Sequence, residues 1–103
     1  MTNEVLLQLL KNDLQITTNA NDSYLEQLLQ FSLTQMERMG ITIEVISDND
    51  VNVASDEAIQ VIQMQYASYL FRKRAGEETA MPRFLKRELN GLLLSQKMGS
   101  EQS

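Results

Sequence analysis

The chain reads as an all-α protein: a small bundle of about four helices with a minor β-hairpin or ordered loop between the second and third. Three observations predict it. Apolar residues recur at three- and four-residue spacing in four separate segments. Each segment is bounded by cap or stop residues, among them Thr2, Ser23, Gly40, Asp56, Gly76 and Pro82. Only "ITIEVISDNDVNV" changes to a period of two, which is too little for a larger sheet.

In the first helix Thr2 or Asn3 caps a segment whose Val5, Leu6, Leu9 and Leu10 share a broad face, ending near Lys11 to Asp13. "QITTNAND" reads as a connector. Ser23 and Glu26 then stand at capping-box spacing, with Asp22 adding negative charge to the helix start. Leu25, Leu28, Leu29, Ser32, Met36 and Met39 fall on one side of this second helix, and Gly40 supplies its left-handed stop. Ile41, Ile43 and Val45 alternate as a strand, "SDND" is turn chemistry, and "VNV" returns.

Ser55 with Asp56 and Glu57 opens the third helix, expected to be the longest and to close at Gly76. Its Ala58, Ile59, Ile62, Tyr66, Tyr69 and Leu70 make one stripe; Met64, Ala67 and Phe71 make a second. A helix apolar on two sides is buried on two sides, so the second stripe is the candidate subunit interface. Pro82 fits the first turn of a last helix, with Leu85, Leu89, Leu92 and Leu93 on one face and Arg83, Lys86, Arg87 and Lys97 on the other. Residues 1–98 therefore form one domain, and residues 99–103, "GSEQS", a flexible tail.

With 103 residues the chain has one modest core, burying a little over 60 % of its unfolded surface. It has no cysteine and no histidine, which removes disulfides, thiolate nucleophiles, Ser-His-Asp catalysis and most transition-metal sites. "DNDVNVASDEAI" lacks the glycine and the final glutamate of a calcium loop, so its acids read as turn and cap residues. No phosphate loop or nucleophile motif is present. The expectation is a non-enzyme without metal or cofactor. No apolar run reaches the roughly 20 residues that span a bilayer, and "MTNEVLLQLLKND" lacks a signal-peptide pattern, so a soluble protein made in a cytoplasm and without a membrane partner is expected.

Charge is unevenly spread. Residues 1 to 58 carry two bases against ten acids, net −8; residues 59 to 103 carry seven bases against four acids, net +3. Arg72, Lys73, Arg74, Arg83, Lys86 and Arg87 form the basic cluster. It reads as a solvated helix end, as a nucleic-acid face, or as a surface for an acidic protein partner, which the chain's own first half could supply. A sequence pI near 4.6 and the lack of interleaved aromatics weigh against a dedicated nucleic-acid binder.

In order, spacing and length the chain resembles, over nearly its whole extent, the small head-tail connector or head-completion adaptor proteins of long-tailed, siphophage-type bacteriophages and prophages, a family also described as DNA-packaging proteins. The residues that carry the resemblance are "NANDSYLEQLLQFSLTQM", the helix ending "YLFRKRAG" and the proline-led "PRFLKRELNGLL", with Pro82, Leu85, Lys86, Arg87, Leu89 and Asn90 matching the family's ending. The family's aromatic-x-x-Arg step fits either Tyr69 to Arg72 or Phe71 to Arg74, and its frequent final tyrosine-arginine is replaced by "LLSQK". The resemblance implies a structural subunit in a ring of about a dozen copies, closed by a head-to-tail contact between two different surfaces. It implies a place at the head-tail junction of the virion, with the portal protein, the next connector or tail-completion protein and, non-specifically, the channel DNA as partners. The alternative is a small DNA-binding or packaging-accessory protein that uses the 72–87 cluster.

Overall fold

In a computed structural model, which describes residues 2–48, 51–76 and 80–101, the first helix, α1, spans Asn3–Leu14. The Thr2 hydroxyl accepts from the Val5 amide at 3.2 Å, closing the helix start as its spacing predicts. At the other end the amides of Gln15 and Ile16 return to the carbonyls of Asn12 and Lys11, a Schellman closure made with a left-handed, non-glycine Gln15 (φ 60°). The buried face is Leu6, Leu7 and Leu10; Val5 and Leu9, expected on it, are 47 % and 37 % exposed. The stripe is turned because Leu6, Leu10, Leu14 and Leu7 lie within about 100° of arc at 100° per residue.

Helix α2 spans Asp22–Arg38 and buries Leu25, Leu29, Ser32, Leu33 and Met36. No side-chain cap forms at its start, so the expected Ser23–Glu26 box is absent. Gly40 does close the helix, at φ 102°. Its amide bonds Glu37 and the Ile41 amide bonds Met36, which places buried Ile41 in the core cluster that holds Met36.

Strands β1 (Val45–Asp48) and β2 (Val51–Ala54) pair antiparallel, with Ile46 opposite Val53. Ile41 to Glu44, expected as strand, lie outside the ladder. The Gln96 side-chain amide occupies Thr42 instead, accepting from its N–H and donating to its C=O, both at 2.7 Å. The inner strand is sealed, with Val53 and Ala54 fully buried, while Val45 and Ile46 on the outer strand are 42 % and 50 % exposed. The Gln30 side chain holds the Asn52 carbonyl and the Gln60 side chain the Ala54 carbonyl, which fastens β2 to α2 and α3.

Helix α3 spans Glu57–Arg74 and is capped by Asp56 rather than Ser55, the carboxylate accepting from the Ala58 amide at 2.8 Å. Gly76, at φ 82°, follows its last turn. One face, with Ile59, Ile62, Tyr66 and Tyr69, packs with Met36, Ile41, Leu85 and Leu89; Ala58, expected on it, is exposed. The other face is the second stripe. Ala67 is fully buried among Leu6, Leu7, Leu10, Leu25 and Leu29, and half-buried Met64 and Phe71 pack against the same cluster. Residues of α1 and α2 of the same chain cover Ala67, and Met64 and Phe71 keep part of their surface exposed.

Helix α4, Arg83–Glu101, is the longest at 19 residues against 18 for α3. The Pro82 carbonyl accepts from the Lys86 amide at 3.1 Å. Leu85 and Leu89 are buried, and Leu92 and Leu93 pack partly buried beside them. The helix extends to Glu101, and residues 102 and 103 of the expected 99–103 tail lie outside the described ones. Replacing Leu85 or Leu89 by alanine leaves a cavity beneath α4 and is expected to cost about 2–5 kcal/mol in chemical denaturation. Wild-type stability in both variants would remove α4 from the core.

Candidate assembly interface

The six cations of the 72–87 cluster lie on two helix ends joined by a short connection. The end of α3 and the start of α4 meet at a cleft of about 220 Å³ whose walls include Asp13, Ser68, Arg72, Pro82 and Phe84. The cluster thus gathers at one end of the molecule, but its members differ in their surroundings.

Arg72 is engaged within the chain. Its guanidinium lies 3.6 Å from the Asp13 carboxylate and donates to the Asp13 carbonyl at 3.2 Å, while that carboxylate accepts from the Ser68 hydroxyl. Residues 59 positions apart are joined, and the end of α1 is fastened to α3. Lys73 sits 5.9 Å above the Tyr69 ring and Arg74 5.5 Å above the Tyr24 ring, cation–π contacts of about 0.5–1 kcal/mol at such exposed sites. Tyr24 also meets Phe71 with ring centroids 6.1 Å apart. All three cations occupy the last turn of α3, where the helix macrodipole favours positive charge.

Arg83, Lys86 and Arg87 have the opposite relation to their helix. They lie exposed in the first two turns of α4, whose first turn holds no acid, and none pairs with another described residue. Positive charge at a helix start opposes the macrodipole, at roughly 0.3–1 kcal/mol for a residue in the first turn. Helix stability therefore accounts for the α3 cations and not for those of α4. Phe84, among them, is 55 % exposed.

Two functional-looking features were not legible as such. Lys11 is 5 % exposed, and its ammonium donates to the Asn19 side chain at 2.8 Å and pairs with Asp22 at 2.9 Å. The pair gives a nearly buried ammonium its counter-ion at the start of α2, which begins at Asp22 with Asn21 at the cap position and so leaves Ser23 inside the helix. Tyr24 had no pattern to mark it; its hydroxyl oxygen is buried without a hydrogen-bond partner among the described residues. Among those residues no three acids converge as a metal site, and no helix is long and apolar enough to cross a membrane.

Comparison with protein-family models, with curated proteins and with solved structures finds no match to this chain.

Tyr66, on the shared wall of the core, has its phenol pushed above the ordinary value of 10.0, first by burial and then by neighbouring Tyr69. A raised folded-state pKa contributes stability that is present below pH 10 and lost as pH rises through the folded value. Alkaline unfolding should therefore steepen above about pH 10, and Tyr66→Phe should flatten that limb. An unchanged pH profile in the variant would show that Tyr66 does not carry the effect.

Proposed function

We propose that the chain is a structural, non-catalytic subunit of the head-tail junction of a long-tailed phage or prophage, a connector that assembles into a ring below the portal and offers a platform for the next connector or tail-completion protein. The observation that supports this most is the uncompensated basic start of α4. Arg83, Lys86 and Arg87 are held exposed where they oppose their own helix, which is the signature of charge kept for a partner. The rest of the molecule supplies the opposite sign: exposed Glu44, Asp56 and Glu57 gather at the other end of α3. The 18 residues of α3 separate these ends by about 27 Å at 1.5 Å per residue. A subunit with unlike charges at its two ends associates head to tail, and head-to-tail association with a closing rotation makes a ring.

Electron microscopy and native mass measurement of the purified chain, alone and with a portal ring, test the reading. Closed rings or stoichiometric portal binding are expected, weakened as salt screens charges over about 8 Å at physiological strength. Arg83→Glu with Arg87→Glu should impair ring formation or portal docking while gaining a few tenths of a kcal/mol in stability, since the new charge at position 83 agrees with the macrodipole. Submicromolar binding of wild-type protein to duplex DNA at physiological salt, lost in the double variant while assembly persists, would favour the DNA-binding alternative instead.

A further inference from the structure

The basic end of α3 carries a groove that no described residue fills. Between α2 and α3, Tyr24, Leu28, Phe31, Leu70 and Arg74 line about 370 Å³ of open space, against ~150 Å³ for a cavity that admits a benzene-sized group. Phe31 on its wall is 44 % exposed, and Arg74 stands over Tyr24 at its rim. At the acidic end the outer strand β1 presents the reverse pattern. Val45 and Ile46 protrude, 42 % and 50 % exposed, next to exposed Glu44. These are apolar side chains beside a carboxylate, opposite an apolar groove beside a guanidinium.

Within one molecule Glu44 to Ile46 are not among the residues that line the groove. The hairpin is fastened to α3 through Gln60 and to α2 through Gln30, while the groove runs between α2 and α3 from Phe31 to Tyr24, Leu70 and Arg74, with Gln60 and Leu70 about 15 Å apart along α3. We infer that the β1 ridge of one copy, Glu44 to Ile46, docks into the Tyr24–Phe31–Arg74 groove of the next copy, which would be the head-to-tail contact of the ring proposed above, on which this assignment rests. The contact is heterologous, so it propagates in one direction. It also covers the exposed edge of β1, which otherwise stands as a free template for strand pairing. It leaves the α4 cations available for a different partner.

Because the chain has no cysteine, the contact can be tested at chosen positions. Both Ile46 and Phe31 are exposed enough to be replaced without loss of fold, which circular dichroism checks. The Ile46→Cys, Phe31→Cys double variant, oxidised or bridged with a short bis-maleimide, should give a ladder of covalent oligomers on a non-reducing gel. Each single variant should stay monomeric. Arg74→Glu should slow the ladder several-fold, and adding Glu44→Arg should restore it. Dimers from Ile46→Cys alone would mean a symmetric pairing of two β1 edges and would overturn the assignment. Rings in the wild-type protein with no ladder in the double variant would also overturn it while leaving the ring reading in place. A ladder without wild-type rings would keep the contact and remove closure, and absence of both would remove the two readings together.

Discussion

The structure depends on the burial of both faces of α3. A chain of this size has apolar material for one modest core, and α3 divides that core into two clusters. On one side Ile59, Ile62, Tyr66 and Tyr69 are closed by the end of α2 and by the leucines of α4; on the other Ala67 is closed by α1 and the first half of α2. Small residues make the second closure possible. Ala67 and Ser68 are nearly fully buried and let α1 approach, and the Ser68 hydroxyl turns the approach into a bond to Asp13. Gln60 and Gln63, also buried, donate their side-chain amides to the Ala54 and Leu29 carbonyls, so the hairpin and α2 are held to the same helix by hydrogen bonds as well as by packing.

Local signals were legible in the sequence because their physics is local. Thr2 caps its helix, Gly40 and Gly76 take positive φ, and Leu85 and Leu89 face inward, each decided by residues within a turn or two. What was not legible was decided at a distance. Ser23 and Glu26 have the spacing of a cap, yet the helix begins at Asp22, which Lys11 pairs from eleven positions away, and Ser23 is left inside it. Ile41 to Glu44 alternate as a strand should, yet Gln96, 54 positions on, takes the Thr42 backbone. In the second stripe of α3, Ala67 is covered by the chain itself while Met64 and Phe71 stay half-buried, and periodicity shows that a face must be covered and not by what. For the candidate site, the six basic residues were visible as a cluster, whereas their division into internally engaged and free members needed Asp13, Tyr69 and Tyr24 in place.

That division bears on function. An ion pair as open as Arg72 with Asp13 adds little stability, about 1 kcal/mol or less, and the cation–π contacts of Lys73 and Arg74 are of similar size. Their joint effect is positional: they tie the end of α3 to α1 and α2 and hold Arg74 beside the groove. The cations of α4 have no such role within the chain. A basic helix start, an apolar groove beside Arg74 and an acidic apolar ridge at the far end of α3 give one small subunit three separate surfaces. In the ring proposed above, two of them would serve the neighbouring copies and one the structure the ring docks on.

Both faces of α3 are covered within one chain, Ala67 completely on one side and Tyr66 nearly so on the other. Native-state hydrogen exchange on dilute, monomeric protein tests it most directly. The account predicts that amides from Ile62 to Leu70 exchange only through global unfolding, with protection independent of protein concentration. Protection of the Met64 to Phe71 segment that is weak in the dilute monomer and rises with concentration would contradict it, and would return that face of α3 to a contact between subunits.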